Sequence, residues 1–222
     1  MKTLRWLVVV VMALTMVGVT MACDNPPPAV TPTGNPFDDI EPDQVDLGRA
    51  TNTNAPPTDA EKASLIYARE EQKVARDLYQ QLGEKWLSPV LASNAQAEQK
   101  HFDAVKTLLD RFGMTDPARP AAGQFTDPVL QKMYASLLER GGRSLVEAFN
   151  AAAYMEEAEI GDTGKFVEYA NRLDIIRGLG TVYAEDRSHL RAYVAELKKL
   201  GVDYQPQLLS RSDFDNLMRP VQ

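Results

Sequence analysis

The sequence has a single cysteine and only two histidines among its 222 residues. That cysteine is Cys23, near the N-terminus. The chain beyond it therefore has no thiol for a disulfide, a rubredoxin-type iron site or a cysteine nucleophile. The sequence also lacks a glycine-rich phosphate loop, an internal repeat and any convincing strand-like alternation of polar and apolar residues. Any chemistry must therefore come from carboxylates, tyrosines and the two histidines.

An excess of basic residues is also absent. Residues 59–222 carry 21 Lys and Arg against 25 Asp and Glu, which gives a net charge of −4 and leaves no basic patch. A nucleic-acid-binding surface needs such a patch. We therefore expect no nucleic-acid partner.

The N-terminal region has the composition of an export signal. Lys2 and Arg5 precede a predominantly apolar run at 7–22 that ends in the small residue Ala22. A basic start, an apolar centre and a small-residue cleavage site are typical of a secretory signal peptide. The run is shorter than the ~20 residues that span a bilayer comfortably. We interpret residues 1–22 as a signal peptide.

The next residues predict a lipid anchor and a tether. The stretch VTMAC, which ends at Cys23, resembles a bacterial lipobox, in which the cysteine is lipidated and becomes the mature N-terminus. Thr20 stands where leucine is usual, and a plain signal peptide with an unmodified thiol is the alternative. Residues 24–58 hold eight of the 14 prolines and six acids against one base, a composition that stays extended. Residues 23–58 would thus tether a domain at 59–222 to a membrane of the bacterial cell envelope.

After Thr58 the sequence reads as helices separated by clear breaks. TDAE at 58–61 is a capping box, and the glycines at 161 and 164 are interpreted as a break before a short helical turn. The predicted helices run from Thr58 to about Gly83, from near Ser93 to Gly113, from Asp127 to Gly141–Gly142, from Ser144 to about Ile160, and from Asp174 to near Gly201. Four long helices with a crossover containing a short helix between the second and third predict an all-α, ferritin-like four-helix bundle. The last twenty residues are expected to pack along its outside.

Each long helix directs at least one carboxylate into its apolar stripe at 100° per residue. Two of these acids precede a histidine by three positions. The candidate metal ligands are Glu71, Glu98, His101, Glu156, Asp186 and His189. Buried carboxylates need compensating positive charge, and oxygen and imidazole ligands suit iron or manganese. One Glu from each of two helices and Glu-x-x-His from each of the other two is the ligand pattern of di-iron and di-manganese bundles, so two metal ions are predicted.

An ion-pair network is the alternative for these acids. Arginines from neighbouring helices could neutralise them, and the candidates are Arg69, Arg76, Arg187 and Arg191. Glu70 and Glu157 lie nearer the stripe edges, outside the expected coordination sphere, although either could replace its neighbour as a ligand. Tyr67, one turn before Glu71, is either a hydrogen-bonding or redox-active neighbour of the centre or a packing residue.

Five segments together carry a family resemblance over most of 60–216. They are REEQKVARDLY (69–79), SNAQAEQKHFDAVKTLLDRFGM (93–114), MEEAEIGD (155–162), DRSHLRAYV (186–194) and YQPQLLSRSDFD (204–215). In order, they resemble a ferritin-like domain family of bacteria and archaea whose function is unknown. The resemblance implies a ferritin-like bundle and a di-iron site but no particular reaction. This chain departs from the family pattern at Gln72, where a third glutamate is usual, and at Asp186, since the family has a Gly-Ser-x-Asn run before that histidine.

The expected function is that of a di-iron or di-manganese protein that reacts with oxygen or peroxide or oxidises Fe(II), with no catalytic residues beyond the ligands. Electrons would come from Fe(II) or an external donor, because no rubredoxin cysteines are present. A lipid anchor fits poorly with a closed iron-storage shell. The alternative is a non-catalytic metal-binding or protein-interaction module. The expected partners are metal ions and the membrane, with a homodimer left open.

Overall fold

The computed structural model of the protein describes residues 55–219, which form six helices and no strand. The helices are α1 (Asp59–Trp86), α2 (Pro89–Arg111), α3 (Pro128–Gly141), α4 (Leu145–Tyr169), α5 (Leu173–Lys199) and α6 (Arg211–Met218). The predicted signal peptide, Cys23 and most of the tether lie outside the described residues. Among the described helices, none is both long and apolar enough to span a bilayer. The all-α prediction is confirmed.

The four long helices form two hairpins. Two residues join α1 to α2 and three join α4 to α5, so each pair is antiparallel and packs along its length. The hairpins meet through α1 against α4 and α2 against α5. The crossover between them, 112–144, contains α3, which packs on α4 and α1. The short helix thus lies where the sequence predicts it.

The apolar interior is divided into two clusters. The first lies around the α1–α2 turn and includes Val74, Leu78, Leu82, Leu91, Phe149, Tyr193 and Leu197. The second lies near the opposite end and includes Leu65, Val105, Leu109, Phe166, Ile175 and Leu179. The helix segments between these clusters carry the predicted metal ligands, so the candidate centre lies between two apolar blocks.

The start of α1 is as predicted, but its end and the start of α2 are not. Thr58 forms the capping box, with its N–H donating to Glu61 Oε2 at 2.8 Å. The helix continues beyond Gly83 to Trp86, and this glycine permits close approach to α2, since an added Cβ would lie 3.1 Å from Ala92 N. Leu87 then turns the chain with a φ of 50°, and Ser88 caps α2 ahead of a proline at its first position.

The predicted break at 161–164 is wrong, because α4 runs without interruption to Tyr169. Each glycine in a helix costs about 1 kcal/mol relative to alanine. Beyond these glycines, Phe166 and Val167 are buried in the second apolar cluster, and their burial offsets that cost. As a consequence Asp162 is a buried helical residue rather than part of a loop.

The C-terminal segment packs on the outside of the bundle, where α6 contacts α5. Tyr204, Phe214 and Leu217 bury their side chains against the first apolar cluster. The loop before α6 is held by Glu157 of α4, which accepts hydrogen bonds from the N–H groups of Leu208 at 2.6 Å and Leu209 at 2.8 Å.

Candidate metal centre

Eight ionisable side chains form a polar layer between the two apolar clusters. They are Glu71 on α1, Glu98 and His101 on α2, Glu156, Glu159 and Asp162 on α4, and Asp186 and His189 on α5. None of these eight residues is more than 9% exposed. All six predicted ligands belong to this layer. Helical periodicity explains the placement, since residues three or four apart lie on one face of a helix.

Four members of the layer converge on one point. Glu98, Glu156, Asp186 and His189 each offer a ligand atom, and these atoms all lie within 4.8 Å of one another. His189 Nδ1 lies 2.8 Å from Glu98 Oε1 and 3.5 Å from Glu156 Oε1. Three helices contribute to this four-residue cluster, and its three carboxylates and one imidazole could hold a metal ion.

His101 borders the four-residue cluster and connects it to the surface. Its Nδ1 lies 3.0 Å from Glu98 Oε2 and 3.5 Å from Asp186 Oδ1. The rings of His101 and His189 stack with their centroids 5.7 Å apart. On the other side of the ring, Nε2 lies 2.7 Å from Glu185 Oε2, whose side chain is 50% exposed. His101 is therefore positioned with Nδ1 toward the layer and Nε2 toward solvent.

Glu71 lies beside another carboxyl group rather than in the four-residue cluster. Its side chain is fully buried, and neither carboxylate oxygen receives a hydrogen bond from a donor within the described residues. Burial raises the pKa of Glu71 well above its ordinary value, and the neighbouring carboxyl of Asp162 raises it further. Helix α1 therefore contributes its acid to a separate part of the layer.

Four other acids of the layer, Glu98, Glu156, Glu159 and Asp186, also have shifted pKa values. Burial raises the pKa of Glu156 to about 7, although His189 opposes the shift. Burial also raises the pKa values of Asp186 and Glu159 well above their ordinary range. For Glu98, burial again favours protonation, but hydrogen bonds from His101 and His189 outweigh it and lower the pKa. Glu98 is thus an anion between two imidazoles.

His189 carries the complementary charge. Burial alone would lower the pKa of His189, but Glu156 and Glu98 raise it to about 11. The pKa of His101 is also raised, because the hydrogen bond with Glu98 outweighs burial. The raised pKa values of both histidines favour bound protons, which offset part of the negative charge of the layer when no cation is bound. A metal ion would displace them, since ligands must lose their protons to coordinate.

The arginines of the ion-pair alternative have partners outside the polar layer. Arg69 pairs with Asp116 at 2.8 Å, and Arg76 with Asp77 at 2.7 Å. Arg191 donates to the carbonyl of Leu217, and Arg187 lies over the ring of Tyr183. A lysine does reach the layer: Lys165 Nζ lies 3.8 Å from Asp162 Oδ1.

Glu70, Glu157 and Tyr67 take three different positions. The Thr126 and Asp127 N–H groups each donate to Glu70 at 2.7 Å, so Glu70 holds the crossover. Glu157 holds the loop before α6, as described above. Tyr67 lies beside the layer, where burial and the charge of Glu71 raise the pKa of its hydroxyl, which also hydrogen-bonds with Asp162.

Sequence reasoning missed three residues at the layer. Glu159 accepts a hydrogen bond from Gln72 Nε2 at 2.9 Å, and Asp162 lies one turn further along α4. Glu159 follows Glu156 by three positions within the predicted helix, so that spacing could have revealed it, whereas Asp162 would have been found only if the helix had been extended through Gly161. The contact of Glu185 with His101 joins residues 84 positions apart, and no local pattern could have revealed it.

Fold and site together define an all-helical bundle protein with a buried cluster of acids and histidine that could hold a metal ion. The chain belongs to the DUF2202 family, described as an uncharacterized protein domain, whose family model matches residues 61–221. It is 34% identical over 164 residues to the "Uncharacterized protein MJ0754" of Methanocaldococcus jannaschii, across 73% of this chain and 89% of that protein. The crystal structure of hypothetical protein MJ0754 from Methanococcus jannaschii DSM 2661 matches with a TM-score of 0.73 at 33% identity, covering 76% of this chain and 97% of that one. The predicted resemblance to a family of unknown function is confirmed.

Proposed function

We propose that this protein binds a dinuclear iron or manganese centre in its polar layer, within a ferritin-like arrangement of the four long helices. The observation that carries the proposal is the convergence of Glu98, Glu156, Asp186 and His189 on a point where all ligand atoms lie within 4.8 Å of one another. These side chains are buried, so solvent cannot screen their charges.

Electrostatics supports a cation at this point. Bringing three carboxylates together in a buried site costs several kcal/mol each unless they are protonated or paired. A divalent or trivalent ion would neutralise them together. Carboxylate oxygens with imidazole nitrogen match the preferences of iron and manganese.

The ligand set is divided between the two hairpins. Glu71, Glu98 and His101 would serve from α1 and α2, and Glu156, Asp186 and His189 from α4 and α5. Glu71, Glu98, Glu156 and Asp186 would supply the carboxylate oxygens that hold the ions. The central position of Glu98, which contacts both imidazoles, supports its role as a ligand.

We propose that the bound centre would react with oxygen or peroxide or oxidise Fe(II). An iron pair supplies the redox chemistry when bound. This chain's own residues bind and orient the ions, and the two apolar clusters exclude water on either side. Electrons would come from Fe(II) or an external donor.

The alternative is a non-catalytic metal-binding or interaction module. The arrangement of Glu98 between two imidazoles favours the interaction module, because the raised pKa values of His101 and His189 let protons neutralise part of the layer without metal.

Metal analysis distinguishes these functions. Residues 24–222, produced with iron, should contain about two ions per chain, and His101→Ala should lose metal while keeping its helicity. Glu70→Gln is the matched control outside the layer and should retain both ions. Consumption of oxygen or peroxide with Fe(II) supports the oxidoreductase, metal without turnover supports the binding module, and a chain without metal contradicts both metal functions.

A further inference from the structure

Glu71 and Asp162 form a carboxyl pair that the six predicted ligands do not account for. Glu71 comes from α1 and Asp162 from α4, so one acid comes from each hairpin. The carboxyl group of Asp162 is a close enough neighbour to raise the pKa of Glu71, in addition to the effect of burial. The Glu71 side chain is fully buried, and no donor group among residues 55–219 forms a hydrogen bond with its carboxylate oxygens.

Two neighbouring carboxylates in the interior require a shared proton or a cation. The nearest side-chain cation, Lys165, offsets the negative charge of the pair only in part. Its Nζ lies 3.8 Å from Asp162 Oδ1, beyond hydrogen-bonding distance, and the Lys165 side chain is 20% exposed. The Tyr67 hydroxyl adds another oxygen beside Asp162. The donor groups here are therefore all oxygens, whereas the four-residue cluster includes an imidazole.

We propose that Glu71 and Asp162 together bind one of the two cations of the polar layer, making Asp162 a metal ligand, with Lys165 supplying positive charge when the ion is absent. This inference rests on the proposed dinuclear centre. It assigns Asp162 as a ligand of the ion that lies beside Glu71. Oxygen donors alone favour a hard divalent cation such as Mn²⁺. The exposed part of Lys165 lets its ammonium group move toward solvent as the ion enters.

Titration of the chelator-treated mature protein with Mn²⁺ tests the assignment, with free ion measured by electron paramagnetic resonance. The wild type should bind two ions, and Asp162→Asn should bind one. Lys165→Met should bind the second ion about tenfold more tightly, because it removes a competing charge near the carboxylates. Asp203→Asn and Lys198→Met, which change exposed residues outside the layer, are the matched controls. Circular dichroism confirms that each variant is folded.

The outcomes separate this inference from the function on which it rests. Two ions in both the wild type and Asp162→Asn, with equal affinities, would overturn the role of Asp162 and leave the dinuclear centre intact. A wild type that binds no ion would overturn both. If Asp162→Asn does not fold, Lys165→Met decides: unchanged affinity for the second ion would overturn the assignment.

Discussion

At the scale of single residues, two pairs of consecutive glutamates divide their roles in the same way. Glu71 and Glu156 point into the polar layer, whereas Glu70 and Glu157 accept hydrogen bonds from distant loops. Neighbours on a helix point about 100° apart, so the apolar stripe could predict which member faces inward. It could not predict what the other member does, because the loops it binds are more than 45 residues away in sequence.

Loss of Glu157 should destabilise the fold without affecting metal binding. Glu157→Ala leaves the N–H groups of Leu208 and Leu209 without their acceptor, which should lower the free energy of unfolding by about 2–4 kcal/mol. Urea unfolding measures the loss, and metal analysis should still find the wild-type content. Glu139→Ala is a control, since the Glu139 side chain is 76% exposed. Reduced metal content at unchanged stability would contradict this role.

The pKa values in the layer predict how stability depends on pH. The pKa of Glu156 is raised from 4.5 to about 7, so its contribution to ion-free stability is complete below pH 4.5 and is lost as pH rises through 7. The contribution of His189, whose pKa is raised from 6.5 to about 11, is complete below pH 6.5 and is lost toward 11. Both effects act in the same direction. The contribution of Glu98, with its lowered pKa, is lost only as pH falls below 4.5.

Chelator-treated protein should therefore unfold at a lower temperature at pH 9 than at pH 5. The expected decrease is at least about 4 °C, which corresponds to roughly 1–2 kcal/mol for a domain of this size. Added Mn²⁺ should stabilise the protein more at pH 9, because fewer protons compete for the ligands. Thermal unfolding followed by circular dichroism measures both effects, and an ion-free protein that gains stability with pH would contradict these pKa values.

At the scale of helices, the sequence predicts the starts better than the interruptions. Thr58 and Ser144 are N-caps that act through their own side chains, so a local pattern suffices. A glycine in the sequence does not by itself indicate a helix end, because glycine can either end a helix or allow close packing within one. Gly83 does the latter, and Gly161 lies within a helix whose later residues are buried. Only tertiary contacts decide between these outcomes.

Gly161→Ala should stabilise the protein by about 0.5–1 kcal/mol. Alanine is the better helix former, and apart from the adjoining residues and backbone of α4 itself no atom lies within 4 Å of the added Cβ. The matched control is Gly83→Ala, which should destabilise because its Cβ would lie 3.1 Å from the Ala92 backbone nitrogen. Denaturant unfolding compares the two. A destabilised Gly161→Ala would contradict a continuous α4.

At the scale of the whole molecule, the four long helices and the crossover with its short helix follow from the sequence, but α6 and the division of the interior do not. Each helix alone shows acids within an apolar stripe. Only the assembled bundle brings these acids to one level and leaves an apolar cluster on either side. The roles of Glu159 and Asp162 depend on that assembly.

Export and lipidation remain predictions from the N-terminal sequence. In a bacterial host, the full chain should fractionate with membranes and require detergent for release, because acyl chains on Cys23 would anchor it. Cys23→Ser should appear in the soluble envelope fraction with unchanged metal content. Ser93→Ala is a control outside the anchor. A wild type that is soluble without detergent would contradict the lipid anchor.

The polar layer as a metal centre is tested most directly by locating the ions in crystals. Anomalous diffraction at the iron or manganese edge from metal-loaded protein should give a peak within roughly 2.0–2.4 Å of ligand atoms of Glu98, Glu156, Asp186 and His189. A second peak should lie beside Glu71. Metal-loaded crystals with no anomalous peak in the layer, or with these acids turned toward protein cations, would contradict a buried metal centre.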